Sequence, residues 1–326
     1  MVTAVAALRE RFGPTIIRPA RELSLAAPFA ERPALSTGAL GLDLITAGLP
    51  RGAISEYAGR DGSGRETLAA VALARAQVAG GLVVLVDPGG AADPDALSAA
   101  GVNLGALTLA YPVTAAQGQG IVDALCRCGA ADLLVITSWS GLLLLPGSRG
   151  LRWPGRLLAR WRAGLRGRRT SLVLINHVVN ETPWRTVEEG AVAREAALRL
   201  GLRAQGVELD PHGGVAGLLT AGRVVKHRGR PQGPPIELLI GAAGPHPGWE
   251  LLRLAGLVGC LAQTPLGLVV GGHFLGRSPR RAAALLAADR SLATLVEGWI
   301  RMAWDTPNRG GILAVDPELV AATVGR

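Results

Sequence analysis

Apolar residues along this chain fall into two alternating rhythms. Short, mostly apolar runs at residues 53–58, 82–86, 106–110, 133–136 and 171–175 each predict a strand, and those at 82–86 and 133–136 are unbroken, as in a strand covered on both faces. Between them, residues 66–79, 94–101, 118–129 and 155–164 predict amphipathic helices. This regular exchange predicts an α/β fold built on a mostly parallel, twisted, doubly wound sheet. Residues 215–226 and 236–240 predict antiparallel strands that close it. A Gly-, Pro- and His-rich stretch at 241–248 marks a boundary, with helices expected beyond it at 249–261, 279–288 and 291–302. At the other end, a short helix at 3–12 and an extended piece at 15–18 precede Pro33. The expected organisation is an N-terminal segment (1–33), a core (34–244) and a small C-terminal α/β domain (245–326). No internal repeat is visible.

Composition narrows the class. With 326 residues, 49% hydrophobic and only 18% charged, the chain has ample material for a packed core and is no disordered segment. Its longest apolar runs, 142–145 and 266–270, are far short of the roughly 20 residues that span a bilayer. The first residues lack the basic-then-apolar layout of a secretory signal, so a cytoplasmic protein without membrane contact is expected. Three cysteines, Cys126, Cys128 and Cys260, make no disulfide framework and no zinc spacing; buried free thiols are expected, and no metal site. The net charge of +9 favours a polyanionic partner. Lys226 is the sole lysine, so the arginine excess is partly compositional.

One turn carries chemistry. Gly59-Arg60-Asp61-Gly62-Ser63-Gly64-Arg65-Glu66-Thr67 joins a predicted strand to a predicted helix in the layout G-x-x-x-x-G-K-[ST] of a phosphate-binding loop. In such loops, backbone N–H groups and the helix N-terminus cradle an anion. Two positions depart from the pattern: Arg65 replaces the lysine, and Glu66 replaces the hydroxyl that holds Mg²⁺. Taken alone, the segment also reads as a tight strand-to-helix turn.

The flanking residues extend the pattern. Leu35-Ser36-Thr37-Gly38-Ala39-Leu40-Gly41-Leu42-Asp43, Gly48-Leu49-Pro50-Arg51-Gly52, Gly101-Val102-Asn103, Ile175-Asn176-His177 and Gly222-Arg223-Val224-Val225-Lys226-His227-Arg228 resemble, in order and spacing, the RecA family of recombinases. That resemblance covers nearly the whole chain. It implies a phosphate-loop core, an N-terminal polymerisation arm, ATP with Mg²⁺, single-stranded DNA, and a homo-oligomer or RecA-type filament.

Carried over position by position, the resemblance implies an altered ATP site. Gly89 stands where the family has its catalytic glutamate, and Thr137 where it has the Walker B aspartate. The adenine-stacking tyrosine falls near Ala96, while Asp93 is retained. His177 replaces the glutamine that senses the γ-phosphate. Lys226 and Arg228 match a basic pair that reaches the neighbouring protomer's nucleotide. Loss of a positioned base costs about 10²–10⁴ in rate, and a planar guanidinium is a poor stand-in for a compact ammonium. ATP binding is therefore expected to be weakened, Mg²⁺ binding doubtful and turnover lost or vestigial. Glu66 either fills the anion site itself or recruits Mg²⁺; Asp87 is either a displaced acid or a strand-end turn residue.

The same resemblance implies two DNA loops. The first follows residues 142–145 and holds Pro146, Gly147, Arg149, Arg152 and Trp153; the second follows His177 and holds Asn180, Thr182, Trp184 and Arg185. Arg with Trp suits phosphate pairing plus base stacking. The alternative is that both tryptophans cover core edges while the arginines solvate loops. Arg166, Arg168 and Arg169 add charge at a helix end, and Arg277, Arg280 and Arg281 surround a predicted helix start at Ser278-Pro279. The leading expectation is a DNA recombination or repair protein of accessory type, on the pattern of RecA-like proteins that serve the SOS response beside a translesion polymerase. An active recombinase with a rearranged site and a protein-only adaptor are the rival readings.

Overall fold

The computed structural model describes residues 34–148, 154–181, 184–209 and 215–305. The expected arm at 1–33 lies outside them. In chain order the strands of the main sheet are β1 (Ile54–Gly59), β2 (Val83–Val86), β3 (Leu107–Ala110), β4 (Leu133–Ile136), β5 (Ser171–Glu181), β6 (Trp184–Thr186), β7 (Leu198–Leu209), β8 (Val215–His227), β9 (Ile236–Gly241) and β10 (Gly244–Pro245). Their order across the sheet is β10-β9-β8-β7-β1-β5-β4-β2-β3, with β6 paired to β5 alone. Pairing is parallel from β7 through β1, β5, β4 and β2 to β3, and antiparallel from β7 through β8 and β9 to β10. The expected mostly parallel α/β sheet, closed by antiparallel strands, is the observed one.

Helices α1 (Leu40–Thr46), α2 (Arg65–Val78), α3 (Pro94–Ala99), α4 (Ala115–Cys128), α5 (Trp139–Leu144), α6 (Pro154–Leu165) and α7 (Glu189–Glu195) connect these strands. Side chains of a strand alternate between faces, so each strand feeds two cores. On one face Tyr57, Leu85, Val135 and Val173 pack with Leu68 and Leu73 of α2. On the other, Val84, Leu134, Ile136 and Leu174 pack with Trp139 and Trp161, whose rings meet edge to face at 6.1 Å. β1, β2 and β4 are buried along their whole length; β2 and β4 accordingly read as unbroken apolar runs, while β1 carries Ser55 and Glu56 within it.

Several elements differ from expectation. Helix α4 starts at Ala115 rather than 118, because Thr114 and Gln117 form a reciprocal capping box around its first turn. β5 runs on to Glu181, six residues beyond the expected end, and folds back on β6. α1, α5, α7 and β7 were not anticipated. β7 is buried only over its first half and exposed along the second, which breaks the pattern a sequence reader looks for. Cys126 and Cys260 are buried as expected, but Cys128 is exposed at the last turn of α4. Burial pushes the Cys126 thiol up to about 12, so it stays protonated and inert.

Beyond β10 the chain forms α8 (Pro247–Leu257), a three-stranded antiparallel sheet of β11 (Leu261–Thr264), β12 (Gly267–Val270) and β13 (His273–Gly276), then α9 (Pro279–Ala288) and α10 (Arg290–Asp305). The sheet was unforeseen; its strands are short, and only the central β12 is largely buried. Leu251, Leu254, Val270, Leu286 and Ile300 join the same apolar cluster as Leu42, Ile236 and Leu238. The tail therefore shares one core with the sheet's α2 face. Among the described residues, no helix is long and apolar enough to cross a membrane.

Candidate phosphate loop and nucleic-acid face

The glycine-rich turn sits where a parallel sheet presents its central strand. β1, flanked by β5 and β7, ends at Gly59, and α2 begins at Arg65. Gly62 and Gly64 adopt φ of 73° and 81°, a region that costs glycine nothing and side-chain-bearing residues more. Gly64 is also close-packed: a Cβ there would lie 2.7 Å from Ile240 Cδ1. The Ser63 hydroxyl is buried against Gly59 without a hydrogen-bond partner. The backbone thus has the form of an anion cradle capped by a helix N-terminus.

Its side chains are engaged with one another. Arg65 is buried, and its guanidinium turns back into the turn. Nη1 donates to the Gly59 carbonyl, Nη2 lies 2.7 Å from Asp61 Oδ1, and Nε lies 2.6 Å from Glu66 Oε1. The imidazole Nδ1 of His177 stands 3.5 Å from Arg65 Nη1 and 3.6 Å from Asp61 Oδ1. Arg60 reaches outward toward Glu181, at 3.6 Å, while Thr67 occupies the first turn of α2. A cavity of about 540 Å³ opens beside this group, lined by Arg60, Asp61, His177, Val178 and Val179.

The neighbouring strand ends are also tied up. Asp87, almost fully buried after β2, accepts the Thr137 hydroxyl at 2.8 Å through Oδ1 and the Ala92 N–H at 2.8 Å through Oδ2. That geometry makes Asp87 the organiser of its turn. Asp93 is the N-cap of α3, accepting the Asp95 N–H at 2.9 Å, with Pro94 at the first helical position. A Cβ on Gly89 would lie 4.0 Å from Asp87 Oδ1. Among the described residues, no three His, Cys, Asp or Glu side chains converge as metal ligands.

Lys226 and Arg228, at the end of β8, turn inward to α7. Lys226 Nζ donates to the Ala193 and Ala196 carbonyls, at 2.5 and 2.7 Å, and Arg228 Nη2 to the Arg194 carbonyl at 2.8 Å. Both satisfy orphan carbonyls at a helix C-terminus, where cations are favoured. Burial, with Arg228 and Arg199 nearby, lowers the Lys226 pKa.

Of the expected DNA contacts, Arg149, Arg152 and Trp153 lie outside the described residues, as does Thr182. The second loop proves to be a strand hairpin: His177 and Asn180 belong to β5, Trp184 and Arg185 to β6. Trp184 is half-buried on the β7–β8 ribbon. A Cβ on Gly201 would lie 2.9 Å from its ring, and the Arg223 guanidinium sits 5.4 Å from the ring centre. Arg185 is exposed.

Sequence reading missed the polar network beneath this hairpin. Glu56 lies fully buried in β1 and accepts from Arg199 Nε of β7 and, at 2.6 Å, from Asn176 Nδ2 of β5. Arg199 also grips Glu189 at 2.6 and 2.8 Å, and Glu189 accepts both the N–H and hydroxyl of Thr186 in β6. Burial alone would raise the Glu189 pKa, but the Arg199 and Thr186 hydrogen bonds outweigh it and bring it to about 2. The strand below the phosphate loop is thereby wired to the base of the hairpin. A charge set inside an apolar strand run, as Glu56 and Arg199 both are, was the signal to follow.

A central parallel strand, a glycine-rich turn and a helix N-terminus define the class as a phosphate-loop α/β fold. Comparison with known proteins takes this further. Residues 4–147 match the model of the RecA N-terminal domain. The chain is 31% identical to Protein RecA of Rhodospirillum centenum over 291 residues, covering 83% of this chain and 81% of that protein. It is 30% identical to Protein RecA of Cereibacter sphaeroides over 318 residues, 92% of each. Protein RecA of Parvibaculum lavamentivorans is 32% identical over 286 residues, 82% of this chain and 78% of its own length. The chain belongs to the RecA family.

Proposed function

We propose that this chain is a RecA-type DNA recombination or repair protein of accessory kind, which binds single-stranded DNA or a RecA-type filament with little or no ATP turnover. Family membership supports the DNA role. The observation that carries the loss of turnover is the Arg65 guanidinium folded into its own loop and held by Gly59, Asp61 and Glu66. The backbone cradle fits a phosphate. The side chains do not fit a metal-assisted hydrolysis: Glu66 is paired with Arg65, Thr137 with Asp87, and Gly89 offers no base.

Phosphoryl transfer relies on positioned charge, metal and a base rather than on covalent help from the protein. With those parts missing, the loop retains at most weak anion binding, Arg65 being the group that must swing out to admit it. ATP hydrolysis by the purified full chain, with and without single-stranded DNA, is the test. Absent or barely measurable turnover is expected, alongside salt-sensitive DNA binding. DNA-stimulated hydrolysis at a recombinase-like rate overturns the reading, and absence of DNA binding at low salt points to a protein-only adaptor.

A further inference from the structure

Helix α1 starts without a side-chain cap of its own: Ala39 stands at its N-cap. The missing acceptor comes from 209 residues away. Glu250, on α8 of the tail, is buried and accepts the Gly41 N–H at 2.8 Å through Oε1, with the Leu40 N–H as a further donor. The approach depends on Gly41, since a Cβ there would lie 2.7 Å from Ile236 Cγ2 and 3.1 Å from Leu254 Cδ2.

The capped segment leads straight to the phosphate loop. Thr37 O accepts the Tyr57 hydroxyl of β1 at 2.6 Å, and Gly38 packs on Leu68 of α2. We propose that Glu250 is a proton-linked latch, through which the tail clamps α1 and the elements flanking the phosphate loop, more tightly as pH falls toward the acid side of neutrality.

Its surroundings decide the sign. The charged groups facing Glu250 are Arg75 of α2 and Asp43 of α1. Asp43 is held by Ser36 Oγ and by Thr37 N and Oγ1, at 2.5–2.7 Å, and Arg75 donates to that same Ser36 hydroxyl. Other ionisable groups on the elements around α8 are engaged elsewhere: Glu237 with Arg253, Arg280 with Glu208, and Glu297 with Arg301. His246 caps α8 itself. Burial raises the Glu250 carboxyl from 4.5 to about 7, against the opposing pull of the Gly41 N–H and Arg75. The docked tail therefore keeps a proton that an undocked tail releases. Docking is fully favoured below pH 4.5 and weakens as pH rises from there to about 7, by at most about tenfold per pH unit.

The test compares the full chain with Glu250→Gln, which keeps an acceptor oxygen and carries no charge. Urea unfolding from pH 5 to 8 should show the unmodified protein losing stability relative to the variant as pH rises, the difference levelling off above pH 7. Parallel pH profiles for the two proteins overturn the latch. Hydrogen exchange of residues 247–257 in the unmodified chain, corrected for intrinsic rates, gives a readout that does not depend on the variant folding. Protection should fall between pH 5.5 and 7.5, and protection that is constant or rises overturns the proposal.

Discussion

Arg65 shows how one side chain redirects a loop. A lysine ammonium is a compact charge on a flexible stem, but a guanidinium presents a planar fork of donors, and here that fork finds Gly59, Asp61 and Glu66 within the same turn. Arg65→Lys with Glu66→Thr should release this clasp. Nucleotide affinity, measured by calorimetry, should rise, while hydrolysis stays absent because Gly89 still supplies no base. A double variant that binds no better than the unmodified chain refutes the clasp. Glu189 offers a second test at this scale. Its carboxyl titrates at about 2 in the folded chain against 4.5 unfolded, so its contribution is complete above pH 4.5 and disappears as pH falls to about 2. Because solvent reaches the group, the effect is about 1–2 kcal/mol rather than the full linkage value. Glu189→Gln should lower stability at pH 7 by that amount and shallow the acid limb of the unfolding profile, and an unchanged limb refutes it. Arg65 was legible in part and Glu189 not at all. The loop was visible from its glycines, whereas the inward turn of Arg65 and the partners of Glu189 are set by contacts with residues remote in sequence.

At the level of elements, the hairpin β5–β6 is where sequence and structure part most. An apolar run ending at Ile175 predicted a strand and then a loop, yet β5 continues through His177 to Glu181. The continuation is stabilised from below, where Asn176, Thr186 and Glu189 share Arg199 and Glu56, and no local periodicity reports such a contact. β7 was lost to the same cause, since its exposed half reads as a loop. The strands β1, β2 and β4, buried on both faces, were plain throughout. Trp184 rests on the ribbon at Gly201, and the pair behaves as a knob and its seat. Gly201→Ala should displace the ring and destabilise the protein by about 1–3 kcal/mol, read from urea unfolding and from the tryptophan emission. Under the proposed single-strand role, Arg185, exposed on β6, is the phosphate contact to test in this hairpin. Arg185→Ala should reduce the salt dependence of single-strand binding by about 0.7 log unit per decade. An unaltered slope removes Arg185 from the interface.

At the scale of the whole molecule, the main sheet leaves one edge open. The main sheet ends at β3, whose outer edge is unpaired among the described residues, and Leu104, Tyr111 and Val113 stand exposed around it. An open edge with apolar neighbours invites strand addition, which natural sheets otherwise block with charge, proline or a covering element. The chain also carries, ahead of the described residues, Leu8 and Phe12, four apart as on one face of the expected helix, followed by Ile16 and Ile17. A lone terminal helix of that length is marginal in water unless it docks. These two features complement each other if the first segment of one copy packs at the β3 edge of the next. Deleting residues 1–32 should then abolish self-association in sedimentation, and Tyr111→Lys with Val113→Lys should weaken it without lowering the melting temperature, because both side chains are already exposed. Loss of association on deletion but not on edge substitution would keep the arm as the contact and move its seat elsewhere. An unchanged sedimentation profile in both variants would leave the N-terminal segment without a role in assembly.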